Sequence, residues 1–325
     1  MRGDWMKTHK LAIIGVGHVG TQVLASALHS HLFSEIILID PRTELATGEA
    51  LDQAHATGLL SRHNTKIYVG QYSDLIDVDI CIIAASYVYP NGELPEDRQA
   101  LLTQNAYIIR EIMTNITQVT HEPILLFITN PADTVVYMAA TEFDYPKNKV
   151  IGTGCSLDSA RLRYILAQMY DVAPHSVQAY MLGEHGYTAF PALSHASIAG
   201  IGYQQLKQYF PNITERNPDE IKEKVVLAAY DVFRAKNGVT DAAIAQVAID
   251  ITQSILLDDH MIYPVSTVVE ANEYHSEAIA YSLPTILGKE GIVKVLPIAL
   301  NEWEQAKLKE SLISIQTNID LAKRI

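Results

Sequence analysis

The sequence predicts an α/β chain: a doubly wound, six-stranded parallel sheet followed by a second α+β substrate domain. Two observations predict it. Short apolar runs alternate with helix-period segments through roughly the first 150 of the 325 residues, the order that builds parallel βαβ units. Beyond that point long helices precede a group of strands, an order that suits an antiparallel sheet of its own.

The elements follow in order. Lys10–Gly17 (KLAIIGVG) is an apolar strand ending in glycines, Val19–Leu32 has helical period, and Glu35–Asp40 (EIILID) is a strand ending in an acid. Leu45–Ser61 is helical, Thr65–Gly70 alternates as a strand does, and Asp79–Ala85 (DICIIAA) reads as a buried strand. Helix Arg98–Val119, strand Pro123–Thr129, helix Pro131–Glu142 and strand Lys149–Thr153 complete residues 1–150, the expected cofactor domain. In residues 151–325, helix Ser156–Tyr170 leads to strand Ser176–Leu182 and then to helices Asp219–Lys236 and Asp241–Leu257. Met261–Glu270, Tyr281–Leu287 and Gly291–Val295 read as strands of a separate antiparallel sheet, closed by helix Asn301–Lys323.

Composition narrows the function classes. Lys+Arg 24 against Asp+Glu 37 gives a net charge of −13, so no basic surface invites nucleic acid or an anionic membrane. An anionic ligand therefore needs a local cluster of donors. Cys81 and Cys155 are too few for a disulfide framework, which fits a reducing cytoplasm. Met1–Lys10 is polar, without an apolar signal core, and no run has the roughly 18 apolar residues of a spanning helix. His29, His31 and His275 have no companion ligands, so no metal site is expected.

Gly15-Val16-Gly17-His18-Val19-Gly20 is a GxGxxG turn directly after a strand and opening a helix. Gly15 permits the tight turn, Gly17 lets backbone approach a pyrophosphate, Gly20 lets helix and strand pack closely, and the helix end stabilises phosphate charge. Asp40 closes the second strand, where its carboxylate can accept both ribose hydroxyls. The Asp40-Pro41 pair should repel a 2′-phosphate, with Arg42 the one nearby group opposing that repulsion. NAD is thus expected rather than NADP, on a Rossmann-type sheet.

Four segments carry further chemistry. Asn130-Pro131 lies at the carboxyl edge of the fifth strand, Asp158 and Arg161 share a helix face in LDSARLR, His185 sits in the glycine-flanked turn LGEHG, and Arg98 follows the polar loop 86–97. Each alone has an ordinary reading as a turn, a surface ion pair, an exposed histidine or a helix start.

Together they resemble the L-lactate/malate dehydrogenase family over nearly the whole chain: GVGHVG, DPRTELATGEALDQAHA, ITNPAD, VIGTGCSLDSARLR and YMLGEHG occur in the family's order and spacing. The resemblance implies an NAD-dependent 2-hydroxyacid dehydrogenase. His185 would be the general acid/base, Asp158 its orienting partner, Arg161 the bidentate clamp on the substrate carboxylate, and Arg98 the loop residue that stabilises the carbonyl oxygen. Asn130 would hold the substrate oxygen or the His tautomer, and Thr240 would line the pocket. Gly15, Gly17, Val19, Gly20, Asp40, Ala84, Ala85 and Asn130 would contact the cofactor. A homotetramer or homodimer is implied too.

Family members that take dicarboxylates carry an arginine in the active-site loop. Residues 86–97 read SYVYPNGELPED, with no Lys or Arg before Arg98 and with Glu93, Glu96 and Asp97 present. A second substrate carboxylate would be left unpaired, which disfavours malate. The loop is longer than the usual lactate form ending PGETR, and in length it resembles the L-2-hydroxyisocaproate dehydrogenases. Tyr87, Val88, Tyr89 and Leu94 could line an apolar pocket. The expected substrates are pyruvate/L-lactate or larger aliphatic 2-oxo acids such as 2-oxoisocaproate. The alternatives are a malate dehydrogenase and a catalytically silent NAD-binding relative. Two departures stand out: Tyr187 replaces the usual acid after GEHG, and Gln178 replaces the histidine that pairs with an arginine (here Arg163) in relatives activated by fructose 1,6-bisphosphate. Weak or absent activation is expected.

Overall fold

The structure, a computed structural model, describes residues 9–60, 64–88, 98–214, 216–236 and 240–325, with backbone alone at 60 and 98–100. The first part alternates as expected: β1 (His9–Ile14), α1 (His18–Ser30), β2 (Phe33–Ile39), α2 (Thr43–Leu60), β3 (Lys66–Val69), β4 (Ile80–Ile83), α3 (Arg98–Thr117), β5 (Ile124–Phe127), α4 (Ala132–Thr141) and β6 (Val150–Gly152). Then come α5 (Ser156–Tyr170), β7 (Val177–Gln178), β8 (Met181–Leu182), β9 (Phe190–Pro191), β10 (Ser197–Ile198), β11 (Ile201–Gly202), α6 (Leu206–Tyr209), α7 (Pro218–Lys236) and α8 (Ala242–Leu257). The chain closes with β12 (Ile262–Val269), β13 (Ile279–Gly288), β14 (Gly291–Val295) and α9 (Glu302–Ala322).

Strands β6-β5-β4-β1-β2-β3 lie side by side in that order and all pair in parallel. Their burial on both faces explains the unbroken apolar runs. Within β1, Leu11 and Ile13 join the core on the α1 and α8 side, while Ala12 and Ile14 join the core under α3 and α4, the two-residue alternation of a strand. Each such fully buried Leu or Ile contributes roughly 1.5–3 kcal/mol over exposure. The order reverses between β1 and β4, where open α/β sheets leave a crevice at the carboxyl ends of their strands.

The expected separate antiparallel sheet is corrected. β12, β13 and β14 extend the parallel sheet to nine strands through an antiparallel contact between Ser266 and Gly152. Sequence patterning gives strand type but not strand partner, and an open β6 edge would leave backbone groups unpaired. Strand Ser176–Leu182 is likewise two strands: β7 pairs with β10 and β8 with β9.

Candidate active site

The glycine turn forms at the crevice. Gly15 has φ +94°, its N–H donates to Ile39 O at 2.8 Å, and a Cβ there would fall on the backbone of Ala85. Only glycine fits this close approach. Ala84 is held alongside by its N–H bond to Ile14 O at 2.8 Å. A Cβ on Gly20 would strike Gly15 O, whereas one on Gly17 would meet nothing nearer than an Arg42 guanidinium nitrogen at 3.9 Å. Val19 packs partly buried against the core. The turn thus leaves a backbone cradle at a helix N-terminus, which fits a dinucleotide pyrophosphate.

Asp40 directly follows β2, with its side chain 2% exposed. Its Oδ2 accepts from Val16 N–H at 2.7 Å and from Arg42 Nη2 at 2.9 Å; its Oδ1 accepts from Arg42 N–H at 2.9 Å and Arg42 Nε at 3.0 Å. Burial would push this carboxyl up, but the Arg42 and Val16 donors outweigh it and hold it below the usual range.

The second cluster forms where α5 and the turn after β8 meet. Both rest on Ser282 of β13: its hydroxyl accepts from Cys155 N–H at 3.0 Å, and its backbone exchanges two bonds with Gly183. Asp158, in the first turn of α5, then lies 2.7 Å from His185 Nδ1 through Oδ2, while its Oδ1 accepts from Arg161 Nη1 at 2.9 Å. Burial favours neutral imidazole, yet the Asp158 charge and hydrogen bond, with help from Asp133, raise His185 above its ordinary value. Asp158 itself is held low, because His185 and Arg161 outweigh the effect of burial.

Asn130 follows β5 and makes a cis bond to Pro131. Its carbonyl accepts from Asn105 Nδ2 at 2.6 Å. Thr240 is half-buried just before Asp241, the N-cap of α8, and no described hydrogen bond joins it to the His185 cluster. The backbone of Arg98 opens α3, but its side chain, like Tyr89 and Leu94 of the loop, lies outside the described residues.

Three supporting residues escaped the sequence reading. Asp133, 3% exposed, accepts from His185 N–H at 2.7 Å and from the Ser266 hydroxyl at 2.6 Å. Burial raises its carboxyl to about 6, partly offset by these donors. Asn105, fully buried in α3, accepts from Tyr87 N–H at 2.7 Å as well as bonding Asn130. Its signal was a polar side chain on the apolar stripe of Leu102, Ile109 and Met113. Glu184 accepts from the Thr188 and Ser314 hydroxyls and braces the turn from below.

Residues 9–152 match the lactate/malate dehydrogenase NAD binding domain, and residues 155–325 match that family's α/β C-terminal domain. The chain belongs to the lactate/malate dehydrogenase family. It is similar to the L-lactate dehydrogenase of Selenomonas ruminantium, 36% identical over 311 residues covering 96% of this chain and 97% of the relative. L-lactate dehydrogenase 2 of Clostridium acetobutylicum is 38% identical over 312 residues, covering 96% of both. Among solved structures, a lactate dehydrogenase from a Medee basin deep-sea metagenome library superposes with TM-score 0.91 at 30% identity, covering 98% of this chain and 100% of that one. The Cryptosporidium parvum lactate dehydrogenase, solved with lactic acid and nicotinamide adenine dinucleotide, superposes with TM-score 0.91 at 28% identity, covering 99% and 100%. The cofactor of this dehydrogenase family member is NAD, and the Gly15–Asp40 crevice is shaped for it.

Proposed function

We propose that the chain interconverts L-2-hydroxy acids and 2-oxo monocarboxylic acids, pyruvate/L-lactate or larger aliphatic homologues such as 2-oxoisocaproate. One observation carries the reading: Asp158 binds His185 and Arg161 on its two carboxylate oxygens, fixing a proton donor and a carboxylate clamp side by side.

With Nδ1 bound to Asp158, the imidazole is left with Nε2 for the substrate oxygen. Protonated His185 donates from Nε2 as the 2-oxo group is reduced and takes the proton back in the reverse direction. NADH, when bound, supplies the hydride. Arg161 uses its remaining N–H donors for a two-point grip on the substrate carboxylate. Asn130 orients the oxygen, Thr240 lines the pocket, and Arg98 stabilises charge developing on the carbonyl. In the division we propose, residues 1–150 bind cofactor at Gly15, Gly17, Val19, Gly20, Asp40, Ala84, Ala85 and Asn130, and residues 151–325 bind substrate. A monocarboxylate is favoured because the sequence of loop 86–97 holds acids and no Lys or Arg that could pair with a second carboxylate. Its length, like that of the hydroxyisocaproate branch, supports room for a larger side chain.

The test is NADH oxidation with pyruvate, 2-oxoisocaproate and oxaloacetate. The reading expects turnover of the monocarboxylates; oxaloacetate preferred, or no turnover of any, would overturn it.

A cytoplasmic homo-oligomer, tetramer or dimer, is part of the same proposal. α2 buries little beyond Ala46 and Ala50 and leaves Leu51 54% and Leu59 86% exposed, and a groove of about 650 Å³ runs between α5 and α7. Analytical ultracentrifugation showing only monomer would contradict this.

A further inference from the structure

The cofactor crevice carries one feature that NAD binding alone does not require. The Asp40 carboxylate has four lone-pair positions, and all four are filled from within the chain, three of them by Arg42. A ribose with free 2′- and 3′-hydroxyls must displace some of these donors before Asp40 can accept from it. The guanidinium side chain, half exposed, stands beside the open face of Gly17, with Nη2 3.9 Å from the position a Cβ would occupy there. It is therefore on the path along which the ribose leaves the pyrophosphate turn. Of its five N–H donors, Nε and one on Nη2 serve Asp40, and three remain.

We infer that Arg42 makes the adenosine ribose pocket accept a 2′-phosphate. Asp40 does not present a bare negative charge, because a two-point ion pair neutralises it. The three remaining guanidinium N–H groups give a phosphate on the 2′-oxygen a charged, planar donor set. Glu44, in the first turn of α2, is the next acid in sequence after Asp40; it is exposed, so its charge is screened by solvent. The chain accordingly uses NAD while discriminating only weakly against NADP. Only an unguarded Asp40 would reject the phosphate.

This inference rests on a dinucleotide lying along the Gly15 turn, so the test separates the two claims by binding alone. Titration calorimetry with ADP and with 2′,5′-ADP is run on the full chain and on Arg42→Ala, with fluorescence titration of NADH and NADPH as a second readout. In the wild-type chain 2′,5′-ADP should bind within about tenfold of ADP, a gap no larger than one charge-assisted contact. Arg42→Ala should widen the gap by a further factor of about ten or more while ADP binds as tightly or more tightly, because Asp40 is freed. Arg42→Lys should fall between the two, as a point charge without the fork. Wild-type binding of ADP with 2′,5′-ADP weaker by about a thousandfold, or a gap unchanged by Arg42→Ala, would overturn the role of Arg42 and leave the dehydrogenase reading standing. Binding of neither nucleotide would overturn both.

Discussion

The backbone N–H of His185 donates to the Asp133 carboxylate at 2.7 Å, so the imidazole that meets Asp158 is carried by a turn with a second buried carboxylate beneath it. Asp133 is in turn fixed by Ser266, the residue that pairs β12 to Gly152 of β6. The junction that joins the antiparallel strands to the parallel sheet thus reaches the catalytic turn through one side chain. Asp133→Asn keeps an oxygen for the His185 N–H but removes the charge. Because that charge favours imidazolium, 2-oxo acid reduction in the variant should be lost at lower pH than in the wild type. A pH profile of kcat/KM checks this, with a thermal melt to confirm the fold; an unmoved profile would contradict it.

Asp158 should matter more, since it both orients the ring and carries the larger share of its raised proton affinity. His185 is raised, so the protonated donor persists to higher pH than it would on a free imidazole, and reduction should fall only as pH rises through that elevated value; oxidation should gain over the same window. Asp158→Asn removes this protection and lowers reduction by roughly 10²–10⁴-fold at neutral pH. Steady-state rates in both directions across the pH range provide the check.

Arg161→Lys preserves charge but loses the planar fork and the bond to Asp158 Oδ1. A charged hydrogen bond is worth roughly 1.5–3 kcal/mol, about ten- to a hundredfold. The expected loss in kcat/KM should come with NADH binding unchanged, measured by fluorescence titration. Equal loss of NADH affinity would place Arg161 elsewhere.

How much of this was legible follows physical lines. The first six strands and the glycine turn were legible because local patterning decides them: buried parallel strands must be apolar throughout, and Gly15 must be glycine where Ala85 presses on it. The His185–Asp158–Arg161 contact was legible only through motif order, as 27 positions separate His185 from Asp158. The placement of β12 was not, since a strand's own pattern does not name its neighbour. Asp133 was overlooked although it stands inside the motif ITNPAD, because its role exists only once β12 and the His185 turn converge on it. Nor did sequence show that Arg42, two positions from Asp40, saturates it.

Fructose 1,6-bisphosphate should have little effect. Arg163 is partly buried, which pulls its guanidinium below the usual range, and it makes no ion pair among the described residues. Gln178, exposed on β7, carries no charge that could add to it. One desolvated cation is a weak match for two phosphates. Substrate half-saturation measured with and without the bisphosphate decides; a large drop would contradict the expectation.

The most direct test of the central claim is single-turnover NADH oxidation by pyruvate, followed across pH in the wild-type chain and in His185→Asn. The account predicts a wild-type rate that falls with rising pH through a midpoint above that of free imidazole. It also predicts a variant slower by roughly 10²–10⁴-fold with no such titration. A variant that keeps the wild-type rate, or that titrates at the same midpoint, would contradict it.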